Sequence, residues 1–224
     1  MKRKIKMVIL YYIAKIRGVS IKRKYKRPLL ISVTGAHSGA GKTSLACLIL
    51  ENLKGSWGAI KYTKTAVLSS VSDAVDTLHL ENKDTSRLVR AGALKVLWIQ
   101  SPSGQQLTEL LSRAMAELNY MDGILVEGNS PSRLMEFDVR FFVFGYKSAA
   151  IKAGAEDLLE KSSVAVFNGK YSDTQMKEVL RPYSVQKYCC ISLYNVNVKD
   201  GSSEEGRKIL FDAIKLRESA LKMQ

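Results

Sequence analysis

A lysine and a threonine stand side by side behind two closely spaced glycines in Gly39-Ala40-Gly41-Lys42-Thr43-Ser44. This is the part of the chain best suited to holding phosphate. Glycines let backbone N–H groups approach phosphate oxygens, and a helix that starts there adds the positive end of its dipole. In the spacing G-x-x-x-x-G-K-[ST] the lysine reaches the β and γ phosphates and the hydroxyl holds Mg²⁺. Those roles fall to Lys42 and Thr43. The match is incomplete, because Ala36 stands where the first glycine belongs and Gly35 comes one residue early. An alanine there adds only a methyl group. Lys42 has no carboxylate at fixed local spacing, so without ligand it is expected to be solvated.

A magnesium–triphosphate site needs an acid from another strand end. GILVEG supplies Glu127 after an apolar run, with Gly128 allowing close approach. Asp84, in NKDTS, is a second carboxylate. The lesser alternative for Glu127 is a solvated strand end, and Asp84 taken alone is an ordinary helix cap. As a pair they are expected to act with Mg²⁺ rather than in fold stability. Asp122 lies at the opposite end of its strand.

These residues must be carried by alternating elements. LLISVTG (29–35) reads as a buried strand, and Thr43 to Lys54 as a helix stopped by Gly55. WGAIKYTK (57–64), VLWIQ (96–100), ILVEG (124–128), RFFVFG (140–145), VAVFN (164–168) and CCISLYN (189–195) read as further strands. A short helix is expected from Asp84 to Ala91. Ser103 and Gln106 form a capping box before a helix whose stripe is Leu107, Leu110, Leu111, Ala114 and Leu118. Ser202 and Glu205 cap a last helix. Continuous apolar strands alternating with helices predict an α/β fold of the P-loop NTPase type: a mostly parallel sheet with helices on both faces. In such sheets ligands sit at the carboxyl ends of the strands, where the glycine loop falls.

The 224 residues carry 35 Lys and Arg against 21 Asp and Glu, a net charge of +14. Eleven of the basic residues and no acid lie in residues 1–27, leaving the remainder at 24 against 21. The chain therefore divides into a basic N-terminal extension, 1–28, and a nearly neutral nucleotide-binding domain, 29–224. The extension has an apolar centre from Met7 to Ala14, too short for a bilayer span of ~20 residues. It suits docking on the body, peripheral contact with an anionic membrane, or contact with nucleic acid. It is expected to be dispensable for nucleotide binding. Three cysteines, two of them adjacent, and two histidines offer no metal-binding spacing, and a cytoplasmic setting is expected.

AHSGAGKTS, AIKYTK, NKDTSRLVRAGA and MDGILVEG occur in that order. Together they resemble the molybdopterin-guanine dinucleotide biosynthesis protein B family over roughly residues 29 to 130. The resemblance implies a P-loop domain, often a homodimer, that binds GTP with Mg²⁺ and hydrolyses it slowly at most. It implies assistance to the guanylyltransferase that couples GMP to molybdopterin. By position, Lys42 and Thr43 would bind phosphate and Mg²⁺. Asp84 and Glu127 would be the catalytic acids near the metal and the γ-phosphate, and Lys61 would stand near the phosphates. Three features depart from the family pattern: Tyr62 replaces a histidine, Asn129-Ser130-Pro131-Ser132-Arg133 follows Gly128, and the basic extension is extra. Asn168 in FNGKYSD is a candidate base contact, with a simple Asn-Gly turn as the alternative.

Two other functions fit the same residues. A paralogous P-loop NTPase would serve another cofactor or metal-centre assembly task. A small-molecule kinase would use Arg87, Arg90 or Arg133 to clamp an acceptor and Asp84 or Glu127 as base. Its lid would have to be residues 129–137, which hold a single arginine. A third class, a membrane- or nucleic-acid-binding protein, would be driven by the extension.

Overall fold

The computed structural model describes residues 27–73, 84–102, 104–146, 148–183 and 192–196. The expected extension helix, Ser103 and the last helix after Ser202 lie outside them.

Among the described residues, eight strands form one sheet in the order β3-β4-β2-β5-β1-β6-β7-β8. They are β1 Leu29–Gly35, β2 Trp57–Lys64, β3 Ser70–Asp73, β4 Lys95–Ser101, β5 Gly123–Glu127, β6 Val139–Phe144, β7 Val164–Asn168 and β8 Ser192–Val196. All neighbouring pairs are parallel except β3 with β4. The inner strands are apolar on both faces, and β5, β6 and β7 are buried throughout. A strand buried on both sides needs cover on both sides, which the crossover helices supply. These are α1 Lys42–Asn52, α2 Asp84–Arg90, α3 Gln105–Leu118, α4 Pro131–Leu134, α5 Glu156–Glu160 and α6 Asp173–Leu180. The expected mostly parallel α/β architecture is the one observed.

The core divides by face. Leu45 to Leu50 of α1 pack with Ile31 and Val33 of β1 and Leu88 of α2. The stripe of α3, Leu107, Leu110, Leu111, Ala114 and Leu118, is buried as expected against Ile60, Ile99 and Val126. A third cluster joins Phe142 and Phe144 to Phe167, whose ring stacks on Phe144 at 4.3 Å.

Three local expectations are corrected. β3 was not anticipated, because SVSD contains one large apolar residue; its antiparallel pairing with β4 makes it a strand. The N-cap of α3 is Gly104, at φ 103, with no side-chain cap. Gln106 instead accepts a hydrogen bond from Ser69 Oγ at 2.7 Å. And α1 stops at Asn52 rather than Lys54, where Leu53 turns extended.

β1 lies between β5 and β6, so β2 to β5 fall on one side of it and β6 to β8 on the other. This is the switch point at which a crevice opens beyond the carboxyl end of β1. The entrance to β1 is tied down by Asp138, which takes two hydrogen bonds from the Arg27 guanidinium (2.6 and 2.8 Å) and one from Leu30 N.

At this same end of the sheet, away from the crevice, Gly123 of β5 pairs with Trp57 of β2. A Cβ on Gly123 would fall into the Trp57 indole. Gly123→Ala is therefore expected to destabilise the fold by about 1–3 kcal/mol, the usual cost of overpacking. Urea unfolding checks this, with nucleotide affinity of the folded fraction unchanged.

Candidate functional site

The turn after β1 is built for close approach to a ligand. Gly39 and Gly41 take φ 77 and φ 104, a region that side chains disfavour. Gly41 is the N-cap of α1, so Lys42 and Thr43 occupy its first turn. Asn168, at the end of β7, is buried and donates from Nδ2 to Ala40 O at 3.0 Å. It supports the loop from the sheet. Asn129, which sequence reasoning noted only as a departure, grips the other side. Its Oδ1 accepts from Gly35 N (3.0 Å) and its Nδ2 donates to Gly35 O (2.9 Å). Two hydrogen bonds to one peptide position make Asn129 a loop anchor. Asn129→Ala is expected to cost about 1–3 kcal/mol by orphaning these backbone groups. Thermal unfolding and nucleotide titration, both weakened together, check this.

Lys42 is not solvated as expected. Its ammonium folds back to donate to His37 O at 3.0 Å, within the loop itself. Burial depresses its pKa, and the charge of Lys61 adds to that, while Glu127 and Asp84 oppose it. Lys42 thus holds an unfavourable position that an arriving anion would relieve. Ser44 is half-buried, and its Oγ accepts from Arg87 of α2 at 2.9 Å.

The acids meet at Thr43. Register places Glu127 of β5 beside Val33 of β1 and Lys61 of β2. Glu127 is 1% exposed, and its Oε1 accepts from Thr43 Oγ1 at 2.9 Å and from Lys61 Nζ. Lys61 Nζ also lies 2.8 Å from Asp84 Oδ2 and donates to Thr43 Oγ1 at 3.3 Å. Burial opposes ionisation of both Lys61 and Asp84. The charge of Glu127 and the hydrogen bonds to both acids hold the Lys61 pKa above its ordinary value, and Lys61 holds that of Asp84 below. Both are charged at neutral pH.

Glu127 Oε2 is buried and, among the described residues, has no hydrogen-bond partner. A carboxylate oxygen left so is costly unless a cation or water meets it. One hydroxyl and two carboxylates, all hard oxygen donors, suit Mg²⁺, which is commonly held by one or two protein oxygens together with phosphates. Thr43, Asp84 and Glu127 would hold it, and bound metal would supply charge neutralisation between phosphate oxygens.

The kinase alternative loses its lid. Pro131 and Ser132 are buried, and Ser132 Oγ donates to Gly128 O at 2.8 Å. Arg140 of β6 donates to the carbonyls of Ser132 and Met135, both at 2.8 Å. Arg133 is turned towards α5, where it pairs with Asp157 at 2.7 Å and donates to Gly154 O. Segment 129–137 is pinned to the sheet, and its arginine is engaged elsewhere. Of the other arginines proposed as clamps, Arg87 lies beside the loop through Ser44, and Arg90 is exposed in the last turn of α2.

A parallel sheet with a glycine loop at its switch point, opening a helix with Lys-Thr, defines a P-loop NTPase fold with a nucleotide-binding role. Residues 30–140 match the family described as molybdopterin guanine dinucleotide synthesis protein B, MobB. The sequence matches no curated protein in a comparison with them. Two solved structures share the fold. A LAO/AO transport system kinase superposes with a TM-score of 0.50 at 21% identity, over 91% of this chain and 63% of that one. This chain thus spans under two thirds of that protein's length. The hydrogenase maturation factor HypB from Archaeoglobus fulgidus gives 0.51 at 14% identity, over 85% and 90%. Among the described residues no helix is long and apolar enough to cross a membrane.

Proposed function

We propose that this protein is a GTP-binding accessory protein in the biosynthesis of molybdopterin guanine dinucleotide, with Mg²⁺-dependent nucleotide binding and slow hydrolysis. The observation that carries the nucleotide part is the convergence of Thr43, Asp84 and Glu127 beside the glycine loop, with Glu127 Oε2 left unpartnered among the described residues. The family match supports the pathway. Lys42 and the backbone N–H groups from Gly39 to Ser44 would hold the phosphates. Asp84 and Glu127 would hold Mg²⁺ and act on hydrolysis. The molybdopterin guanylyltransferase, a second copy of the chain and an anionic membrane surface for the basic extension complete the proposed set of partners.

Titration of GTP, ATP and GDP with Mg²⁺ present tests this. GTP is expected to bind more tightly than ATP. No binding of either triphosphate overturns the nucleotide reading, and a clear preference for ATP overturns the guanine assignment. A protein starting at Arg27, which keeps the pair with Asp138, is expected to hold its GTP affinity within tenfold, about 1.4 kcal/mol. A greater loss would place the extension inside the site.

A second reading, the same machinery serving another assembly task, is favoured by Tyr62. Where the family carries a histidine, this side chain is 8% exposed and its hydroxyl donates to Ser101 O at 3.0 Å. It is withdrawn into the core and offers nothing to a ligand. Pull-down of the guanylyltransferase distinguishes the two: no complex, with GTP binding intact, favours the second.

A further inference from the structure

The three oxygen donors suited to magnesium already surround a cation of the chain's own. Lys61 reaches up from β2, its side chain 13% exposed, and its Nζ contacts Glu127 Oε1, Asp84 Oδ2 (2.8 Å) and Thr43 Oγ1 (3.3 Å). These oxygens come from β5, α2 and the first turn of α1. An ammonium has three hydrogen-bond donors, and here three acceptors from three elements face it. Such a set is complete, with no donor left over for a phosphate.

We propose that Lys61 is a resident placeholder for the metal, which keeps divalent cations out of the site until a nucleotide arrives. This rests on the nucleotide reading above. Two cations cannot share one cluster of three oxygens, because their repulsion at that distance is strong and poorly screened in a buried site. Mg²⁺ alone must therefore evict the ammonium into a place with no compensating anion. A triphosphate changes the balance. Its oxygens accept the displaced Lys61 and, at the same time, complete the coordination of the metal. Metal and nucleotide then load together. Glu127 Oε2, which no described residue meets while Lys61 uses Oε1, gains its partner in that exchange. The device also explains why a lysine is placed in register with a buried glutamate at the end of β2. The pair is the closed form of the metal site.

The test uses the full chain and Mn²⁺ alone, which is visible by electron paramagnetic resonance. In wild type, Mn²⁺ without nucleotide is expected to bind only in the millimolar range or weaker. Lys61→Met keeps the aliphatic stem and removes the charge, and it should bind Mn²⁺ alone at least tenfold more tightly. Lys61→Gln, which keeps an N–H donor for the carboxylates, should show the same direction. Mn²⁺ should also raise the unfolding temperature of both variants and not that of wild type. If Lys61→Met unfolds in chelator, Mn²⁺ is required to refold it, since the ion takes over the ammonium's position. Unchanged Mn²⁺ affinity in the folded variants, or no rescue of an unfolded one, overturns the proposal and leaves Lys61 as a static ion pair. Tight Mn²⁺ binding to nucleotide-free wild type overturns it as well. GTP titration of wild type, run in parallel, reports separately on the nucleotide reading: absence of GTP binding sinks that reading whatever the metal arms give.

Discussion

Lys42→Ala is expected to weaken Mg²⁺–GTP binding by about 2 kcal/mol or more, roughly thirtyfold, with little loss of fold stability. The stability half of this follows from the side chain's position. In the nucleotide-free chain the Lys42 ammonium donates to a single loop carbonyl, His37 O, and burial already disfavours its charge. Removing it relieves a desolvation cost while giving up one hydrogen bond, so the net change should be within about 1 kcal/mol. The binding half follows from what remains. The loop N–H groups still face the phosphates, and the site remains partly desolvated, but one charge-assisted contact to the β and γ oxygens is gone. GDP should suffer less than GTP if the ammonium reaches the γ-phosphate. Calorimetric titration of both nucleotides into both proteins, with urea unfolding alongside, decides the matter. Equal GTP affinity for wild type and variant would remove Lys42 from the site.

Glu127→Gln is expected to destabilise the nucleotide-free protein by about 3 kcal/mol and to abolish the magnesium dependence of triphosphate binding. Read from the sequence, both acids looked as if they acted on metal without weight in stability. Burial revises that for Glu127. At 1% exposure it is the inner partner of Lys61, whose side chain is 13% exposed. Taking away one charge of a buried pair leaves the other uncompensated, which costs far more than the pair itself contributes. Asp84 remains near the ammonium at 2.8 Å, but its side chain is 45% exposed and water screens it. Asp84→Asn should therefore cost under about 1 kcal/mol while still weakening the response to magnesium. Adding Lys61→Met to Glu127→Gln removes the stranded charge and should recover most of the lost stability. Urea unfolding of the single and double variants in chelator measures all of these. A double variant no more stable than Glu127→Gln alone would mean that the two charges are not energetically coupled.

Pattern and spacing were sufficient for much of this molecule. Continuous apolar runs ended by glycine mark β1, β5 and β7, because a strand buried on both faces has no polar face to alternate with. The 3.6-residue stripe of α3 names its five buried side chains. The spacing of Gly39, Gly41, Lys42 and Thr43 determines the loop, since those residue types answer to a local geometry: left-handed backbone followed at once by a helix.

Other features depend on partners distant in sequence. β3 is a strand only through its pairing with β4, which a run such as SVSD cannot announce. Asn129 stands in the sequence only as a departure from a family pattern and Asn168 as a base contact or a turn, and only their approach to Gly35 and Ala40 makes them supports of the loop. Arg133 in isolation suits an acceptor clamp, whereas Asp157, brought near by the fold, holds it. The join of Lys61 to Glu127 and Asp84 is of the same kind. Lys61 and Glu127 are 66 residues apart, and strand register sets them side by side. A sequence specifies which charges exist and on which element each rides. Whether a charge is solvated, paired or poised for a ligand depends on burial and on what faces it, and those are properties of the packed sheet and helices.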